Sequence, residues 1–282
     1  SPPIPADATQ VTPQWLTIVL HEAGLDRRAV TAIAPLSFGP GIGHMSQTLR
    51  LGLTYDSDDP GPRTLVVKLP HPDPERRARA AQNLRFEIEA KLYPMLGDAN
   101  PLRPPRCYFS AFDEATGLGV IVLEDLTGET LPPLADFTHA PGLVGSLAHR
   151  LGRFHATNWD GPSPALNWVP LYRSFGTKDQ LVQRFDSLRR EHPYAVPEAM
   201  ATLVTAYSAV LDAVTEAVTA PPLTLLHNEL WYDNALATAE GLRVLDWQTA
   251  RWGRGGLDLG FALVSMLTPN ERRAGERDMV AA

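Results

Sequence analysis

The chain has 282 residues, 44% hydrophobic and 20% charged, with a formal net charge of -7. That is the composition of a folded globular protein with one large core or two smaller ones. The acidic balance and the lack of a basic stretch exclude a nucleic-acid backbone binder, and with no run of eighteen apolar residues and no basic-then-apolar leader, membrane spanning and secretion are unsupported. The single cysteine, Cys107, excludes an internal disulfide or a multi-cysteine metal site, fits a cytoplasmic location and reads as a small buried hydrophobe.

In chain order, TPQWLTIVLHEAGL is a short amphipathic helix, capped by Thr12, with Pro13 in its first turn and Trp15, Leu16, Val19 and Leu20 on one face. A glycine cluster, LSFGPGIGHMS, then leads into Leu49, Leu51, Leu53 and Tyr55 in strict alternation, the period of a half-buried strand. After the turn mixture DSDDPGP comes a second strand, RTLVVKLP. ARAAQNLRFEIEAKLYPMLG places Leu84, Ile88, Leu92 and Leu96 four residues apart, which predicts one helix ending at Gly97. GVIVLEDL is an apolar run that breaks into LTGETLPP, a hinge between lobes. From there GLVGSLAHRLGRFHATNW, KDQLVQRFDSLRREH and PEAMATLVTAYSAVLDAVTEAVTA predict a mainly helical second half, with strand character returning around LTLLHNELWYDNALATAEGLRVLDWQ.

The chemistry-bearing residues fall in a meaningful order. Gly39, Gly41 and Gly43 match neither the dinucleotide fingerprint nor the G-x-x-x-x-G-K-[ST] loop; at a hairpin tip they serve either as turn residues or as a cover over phosphates. Lys68, set among Leu65, Val66, Val67 and Leu69, is either a solvent-facing residue of an edge strand or a charge held for a purpose. Glu87 and Glu89 on the next helix are its candidate partners. LLHNELWYDN then supplies a carboxylate, Glu229, and an amide, Asn234, five residues apart, and Asp246 follows twelve residues later across a predicted hairpin. A carboxylate beside an acceptor hydroxyl, plus a carboxylate and an amide as Mg²⁺ ligands, is what phosphoryl transfer needs.

On these motifs the chain resembles the aminoglycoside phosphotransferase and choline kinase superfamily, whose H-x-D-x-x-x-x-N motif and following strand Asp align with His227, Asn234 and Asp246. FEIEAKLY is similar to that family's F-x-x-E-x-x-x-Y helix, which selects Glu89 over Glu87. HNELW, DWQ and LTPNERR look most like the ecdysteroid-kinase-like and choline-kinase-like branch. The resemblance implies an α+β, bilobal protein-kinase-like fold: a small N-lobe, 1–125, with an antiparallel sheet plus helix, and a larger, mainly α-helical C-lobe, 126–282, to which similar proteins add further C-terminal helices. It implies ATP and Mg²⁺ as cofactors and, as acceptor, a hydroxyl of a small molecule: a metabolite, an antibiotic or a steroid-like alcohol. Lys68, Glu89, Gly41, Gly43, Ser46, Glu124, Asp125 and Leu126 would bind the nucleotide. Glu229, His227, Asn234 and Asp246 would form the catalytic group, with the metal on Asn234 and Asp246.

One departure stands out: Glu229 occupies the position of the family's catalytic Asp. It is one methylene longer, and a displacement of about 1 Å can cost roughly a hundredfold in rate. A nucleotide-binding pseudokinase, or an inactivated variant, is therefore the alternative to an active kinase. Elsewhere, His155 reads as a packing histidine, Asp258 as a helix cap, and Trp231 and Trp247 as either pocket walls or core.

Overall fold

The computed structural model describes residues 1–25, 29–37, 46–57, 61–128, 141–174, 176–194 and 196–281. They group into two compact units, one made of 1–154, 227–250 and 259–282, the other of 155–226 and 251–258.

In the first unit, α1 (Pro13–Glu22) begins as expected: the Thr12 hydroxyl accepts from the Trp15 amide at 3.2 Å, with Pro13 at the first helical position. Its buried face, Trp15, Leu16, Val19 and Leu20, packs on a five-stranded antiparallel sheet of β1 (Val30–Leu36), β2 (Ser46–Tyr55), β3 (Thr64–Pro70), β4 (Cys107–Asp113) and β5 (Leu118–Glu124). The spatial order is β1-β2-β3-β5-β4. Because the β4–β5 hairpin docks through β5, β3 is an interior strand, and Lys68 pairs with Thr48 on one side and Ile121 on the other. The edge-strand alternative for Lys68 is thereby removed. Along β3, Leu65, Val67 and Leu69 enter the core beneath α1, each contributing about 1.5–3 kcal/mol by burial. Strand alternation turns Lys68 to the other face.

The single helix expected through residue 96 is two. Following β3, α2 (Pro74–Gln82) is capped by Asp73, whose carboxylate accepts from the Glu75 and Arg76 amides, and α3 runs from Arg85 to Leu96. Between them Leu84 adopts φ 55°, the left-handed region, and lies exposed. The apolar period continues across this break, so it gives no sign of it. The break resets the helical phase, and the buried residues of α3 include Glu89 and Tyr93 beside Phe86, Ile88 and Leu92.

β7 (Ala235–Thr238) and β8 (Gly241–Val244) form the predicted hairpin, with Ala235 opposite Val244 and Gly241, at φ +105°, opening β8 opposite Thr238. It is fastened to the sheet unit by Arg243, which pairs with Glu124 at 2.7 Å, and by Arg150, which donates to the carbonyls of Pro101 and Leu242. Arg150 belongs to α4 (Pro141–Thr157), and the chain ends through α7 (Gly256–Met266) and α8 (Pro269–Ala281). Cys107 is only partly buried, short of the fully buried hydrophobe expected, and burial pushes its thiol up to about 12.

In the second unit, β6 (Thr224–Leu226) pairs with β9 (Arg251–Gly253), and α5 (Lys178–Glu191), begun by a Thr177/Gln180 capping box, packs on α6 (Glu198–Thr219). His155 is the packing histidine expected: buried, with Nε2 at 3.2 Å from Asp258 Oδ2. Asp258 is not the cap of α7 but lies inside its first turn, fully buried against that ring. Among the described residues α6 alone is long and apolar enough to cross a membrane by length and composition; Asp212 and Glu216 interrupt its apolar run.

Gly119 on β5 is a close-approach glycine. A Cβ there would lie 2.5 Å from Phe86 Cε1 and 3.0 Å from Phe112 Cδ2. Gly119→Ala should therefore lower stability by about 1–3 kcal/mol through overpacking against α3, read as a fall in the midpoint of urea unfolding; an unchanged midpoint would show that Phe86 moves aside without cost.

Candidate active site

The three charged side chains at the centre of the site come from separate elements of the first unit. Lys68 reaches from β3 between two carboxylates, with Nζ 2.5 Å from Glu89 Oε1 on α3 and 3.1 Å from Asp246 Oδ1 just after β8. Glu87 instead pairs with Lys91 at 2.7 Å. Burial pulls the Lys68 ammonium down, but the charges of Asp246 and Glu89 outweigh it and hold it above its ordinary value. Burial raises Asp246 as well, yet the lysine overrides that and keeps it below the usual range. For Glu89, the most deeply enclosed of the three, burial prevails over Lys68 and the carboxyl is raised.

Asp246 adopts φ 67°, a conformation that needs support from its surroundings. The support is specific: its backbone N–H donates to the Tyr93 hydroxyl at 3.2 Å and its Oδ2 accepts from Gln248 Nε2 at 3.0 Å. The preceding Leu245 N–H donates to the Asn234 carbonyl at 3.0 Å, which ties the two ends of the β7–β8 hairpin together as predicted.

The 227–234 loop is organised around one carbonyl. The Glu229 oxygen accepts from the Trp231 N–H at 3.0 Å and from Asn234 Nδ2 at 2.9 Å. His227 is fully buried; its Nε2–H donates to the Leu245 carbonyl at 3.0 Å, its Nδ1 accepts from the Glu229 N–H at 3.3 Å, and its ring meets Trp247 edge-on at 4.8 Å. With both nitrogens engaged inside the protein, His227 positions the loop and does not reach outward. Asn228, at φ 68°, donates through Nδ2 to the Thr249 carbonyl at 3.1 Å. Trp247 is completely buried against Phe154 as well as His227, which makes it core, whereas Trp231 is exposed and rests on Tyr232.

Glu229 is half-buried. Burial raises its carboxyl; the positive charge of Arg85 opposes this and the negative charge of Asp246 adds to it, with a net upward shift. Such a carboxylate is suited to taking a proton from a hydroxyl.

The remaining expected residues fall into different surroundings. Ser46 opens β2 opposite Pro70, Leu126 is buried, and the Asp125 side chain is committed to Arg50 at 2.7 Å and to the Thr127 N–H and hydroxyl. Glu124 binds Arg243 and the Arg106 N–H. Their carboxylates are structural, so any nucleotide contact from this segment falls to its backbone. Gly41 and Gly43 lie outside the described residues. Tyr93 and Arg85 were missed, although Tyr93 stands in the very FEIEAKLY pattern that singled out Glu89.

Among the described residues no cluster of three His, Cys, Asp or Glu side chains is arranged for a metal. Asp246 and Asn234 nevertheless fit Mg²⁺, a hard cation that binds one or two carboxylates plus substrate oxygens. With Nδ2 of Asn234 anchored on the Glu229 carbonyl, its Oδ1 makes no hydrogen bond among the described residues and is left as the oxygen donor.

The sequence model of the Phosphotransferase enzyme family matches residues 51–282. The chain belongs to that family. Among solved structures it is similar to the GDP and kanamycin complex of APH(2")-IIia (15% identity, 95% of this chain and 82% of that one, TM-score 0.55) and to the GDP complex of wild-type aminoglycoside 2'-phosphotransferase-IIIa (14%, 95% and 83%, 0.53). A third is a thermostable mutant of aminoglycoside phosphotransferase APH(4)-Ia with ADP and hygromycin B (14%, 94% and 83%, 0.50). These likenesses bear out the α+β, bilobal protein-kinase-like fold. No curated protein matches the chain.

The pairing of Lys68 with two carboxylates makes a pH prediction. In Lys68→Met, Glu89 and Asp246 face each other without a cation, so the folded pKa of Glu89, already raised, rises further above its unfolded value. Such a group binds more protons folded than unfolded from the ordinary glutamate range upward, and stability falls as pH rises there. In metal-free buffer the variant should lose about 3 kcal/mol relative to wild type, with the deficit in melting temperature larger at pH ~8 than at pH ~5.5; a deficit independent of pH would contradict the charge assignment.

Proposed function

We propose that the chain is an ATP-dependent small-molecule O-phosphotransferase that moves the terminal phosphoryl group to a hydroxyl. The observation that carries this is Lys68 bonded at once to Glu89 and Asp246, with Glu229 and Asn234 presented from one hydrogen-bonded loop beside them. Mg²⁺ on Asp246 and Asn234 would neutralise phosphate charge when bound. Lys68 binds the inner phosphates, held in place by Glu89. Glu229 accepts the hydroxyl proton as the acceptor oxygen bonds to the terminal phosphorus and the bond to the ADP oxygen breaks. His227, Asn228 and Thr249 keep that carboxylate's backbone in register, through bonds between the loop and the segment after β8. Catalysis is therefore positioning and charge stabilisation. The solved relatives named with kanamycin and hygromycin B favour a polyhydroxylated or aminoglycoside-like acceptor, which an acidic protein also attracts.

Mg²⁺-dependent conversion of ATP to ADP, assayed with a panel of hydroxylated small molecules, tests this. Wild type should turn over, and Glu229→Gln, which keeps shape and removes the base, should lose about 10²–10⁴-fold in kcat. Turnover confined to Glu229→Asp would show that the extra methylene disables this chain. Mg·ATP binding without turnover in any form would favour the pseudokinase alternative.

A further inference from the structure

The face of α3 that carries Glu89 continues to Tyr93 in one direction and Arg85 in the other, at four-residue spacing. Two of the three touch the site: Glu89 bonds Lys68, and the Tyr93 hydroxyl accepts from the Asp246 N–H. Arg85 is the first residue of the helix, about 6 Å along its axis from Glu89. It is half-buried, makes no hydrogen bond or ion pair among the described residues, and its charge bears on Glu229.

Among the described residues, three other cations of this unit are committed. Lys68 is shared by two carboxylates, Arg50 is bound to Asp125 and Arg243 to Glu124. Glu89 and Asp246 share Lys68, and Glu229 feels the negative charge of Asp246. A phosphoryl group passing toward a hydroxyl at Glu229 moves away from Lys68 and from the Mg²⁺ that Asp246 and Asn234 would hold, and toward a carboxylate, where a further cation would offset its charge.

We propose that Arg85 is that cation, a phosphate-binding residue that grips the terminal phosphoryl group of the nucleotide as it moves to the acceptor. The proposal rests on the phosphotransferase function argued above. In the step, the acceptor oxygen bonds to the terminal phosphorus, the bond to the ADP oxygen breaks with its electron pair left on ADP, and the hydroxyl proton goes to Glu229. Arg85 is unchanged, donating N–H groups to the non-bridging oxygens. A guanidinium is suited to this because it presents paired, parallel donors at fixed geometry and stays charged.

The test is calorimetric binding of Mg·AMP-PNP and Mg·ADP to wild type, Arg85→Gln and Arg85→Met, with melting temperatures confirming that each variant folds, and Arg85→Lys as the charge-keeping control. Contact with the terminal phosphoryl predicts that Gln and Met each weaken AMP-PNP at least tenfold while ADP affinity stays within twofold, and that Lys recovers part of the loss. Equal loss for both nucleotides, or no loss for either, overturns the proposal and leaves the phosphotransferase function standing. If wild type binds neither nucleotide, that function fails and the role of Arg85 fails with it.

Discussion

The Lys68 ammonium, held between Glu89 and Asp246, is the interaction on which the site depends. It joins an interior strand, the helix beneath the β4–β5 hairpin and the residue after β8, elements far apart in sequence. None of the three carriers would be oriented by local forces alone: β3 owes its place to Leu65, Val67 and Leu69 on its opposite face, α3 to Phe86, Ile88 and Leu92, and Asp246 to a left-handed backbone braced by Tyr93. Apolar packing sets the three, and the charges then share one small volume. A buried lysine between two carboxylates adds little net stability after desolvation. Stability alone therefore does not account for a lysine in this interior strand.

The second constraint is the mutual bracing of the loop and the segment after β8. His227 and Asn228 donate to Leu245 and Thr249, Thr249 donates back to His227, and Asn234 and Leu245 are joined through the backbone. Positive φ at both Asn228 and Asp246 is the strain expected where side chains are aimed and not merely packed. Within this frame the Glu229 backbone is fixed at both its N–H and its carbonyl.

Much of the site was legible in the sequence, and for a simple reason: its residues lie in short motifs where an unusual residue type interrupts a regular pattern. Lys68 stands in an apolar strand, Glu229 and Asn234 share one loop, and Asp246 ends a strand. The split at Leu84 was not legible, because the apolar spacing runs unbroken through it and the left-handed turn is imposed by packing. Nor was the interior position of β3, since strand order depends on where the β4–β5 hairpin docks, a contact without local signature. Arg85 and Tyr93 escaped because their meaning lies in four-residue spacing from Glu89, which becomes informative only once Glu89 is known to face Asp246. Asp258 was misread as a cap because a carboxylate at a helix start usually is one; here burial against His155 claims it.

The most direct test of the central claim, that Asp246 and Asn234 complete a metal-assisted nucleotide site around Lys68, is the magnesium dependence of ADP binding. Affinity should be measured by calorimetry at rising Mg²⁺ for wild type, Asp246→Asn and Asn234→Ala. The account predicts that ADP affinity in wild type climbs with Mg²⁺ and that both variants lose this climb while keeping their melting temperatures within a few degrees. ADP binding equally strong with and without Mg²⁺, and indifferent to both substitutions, would contradict it.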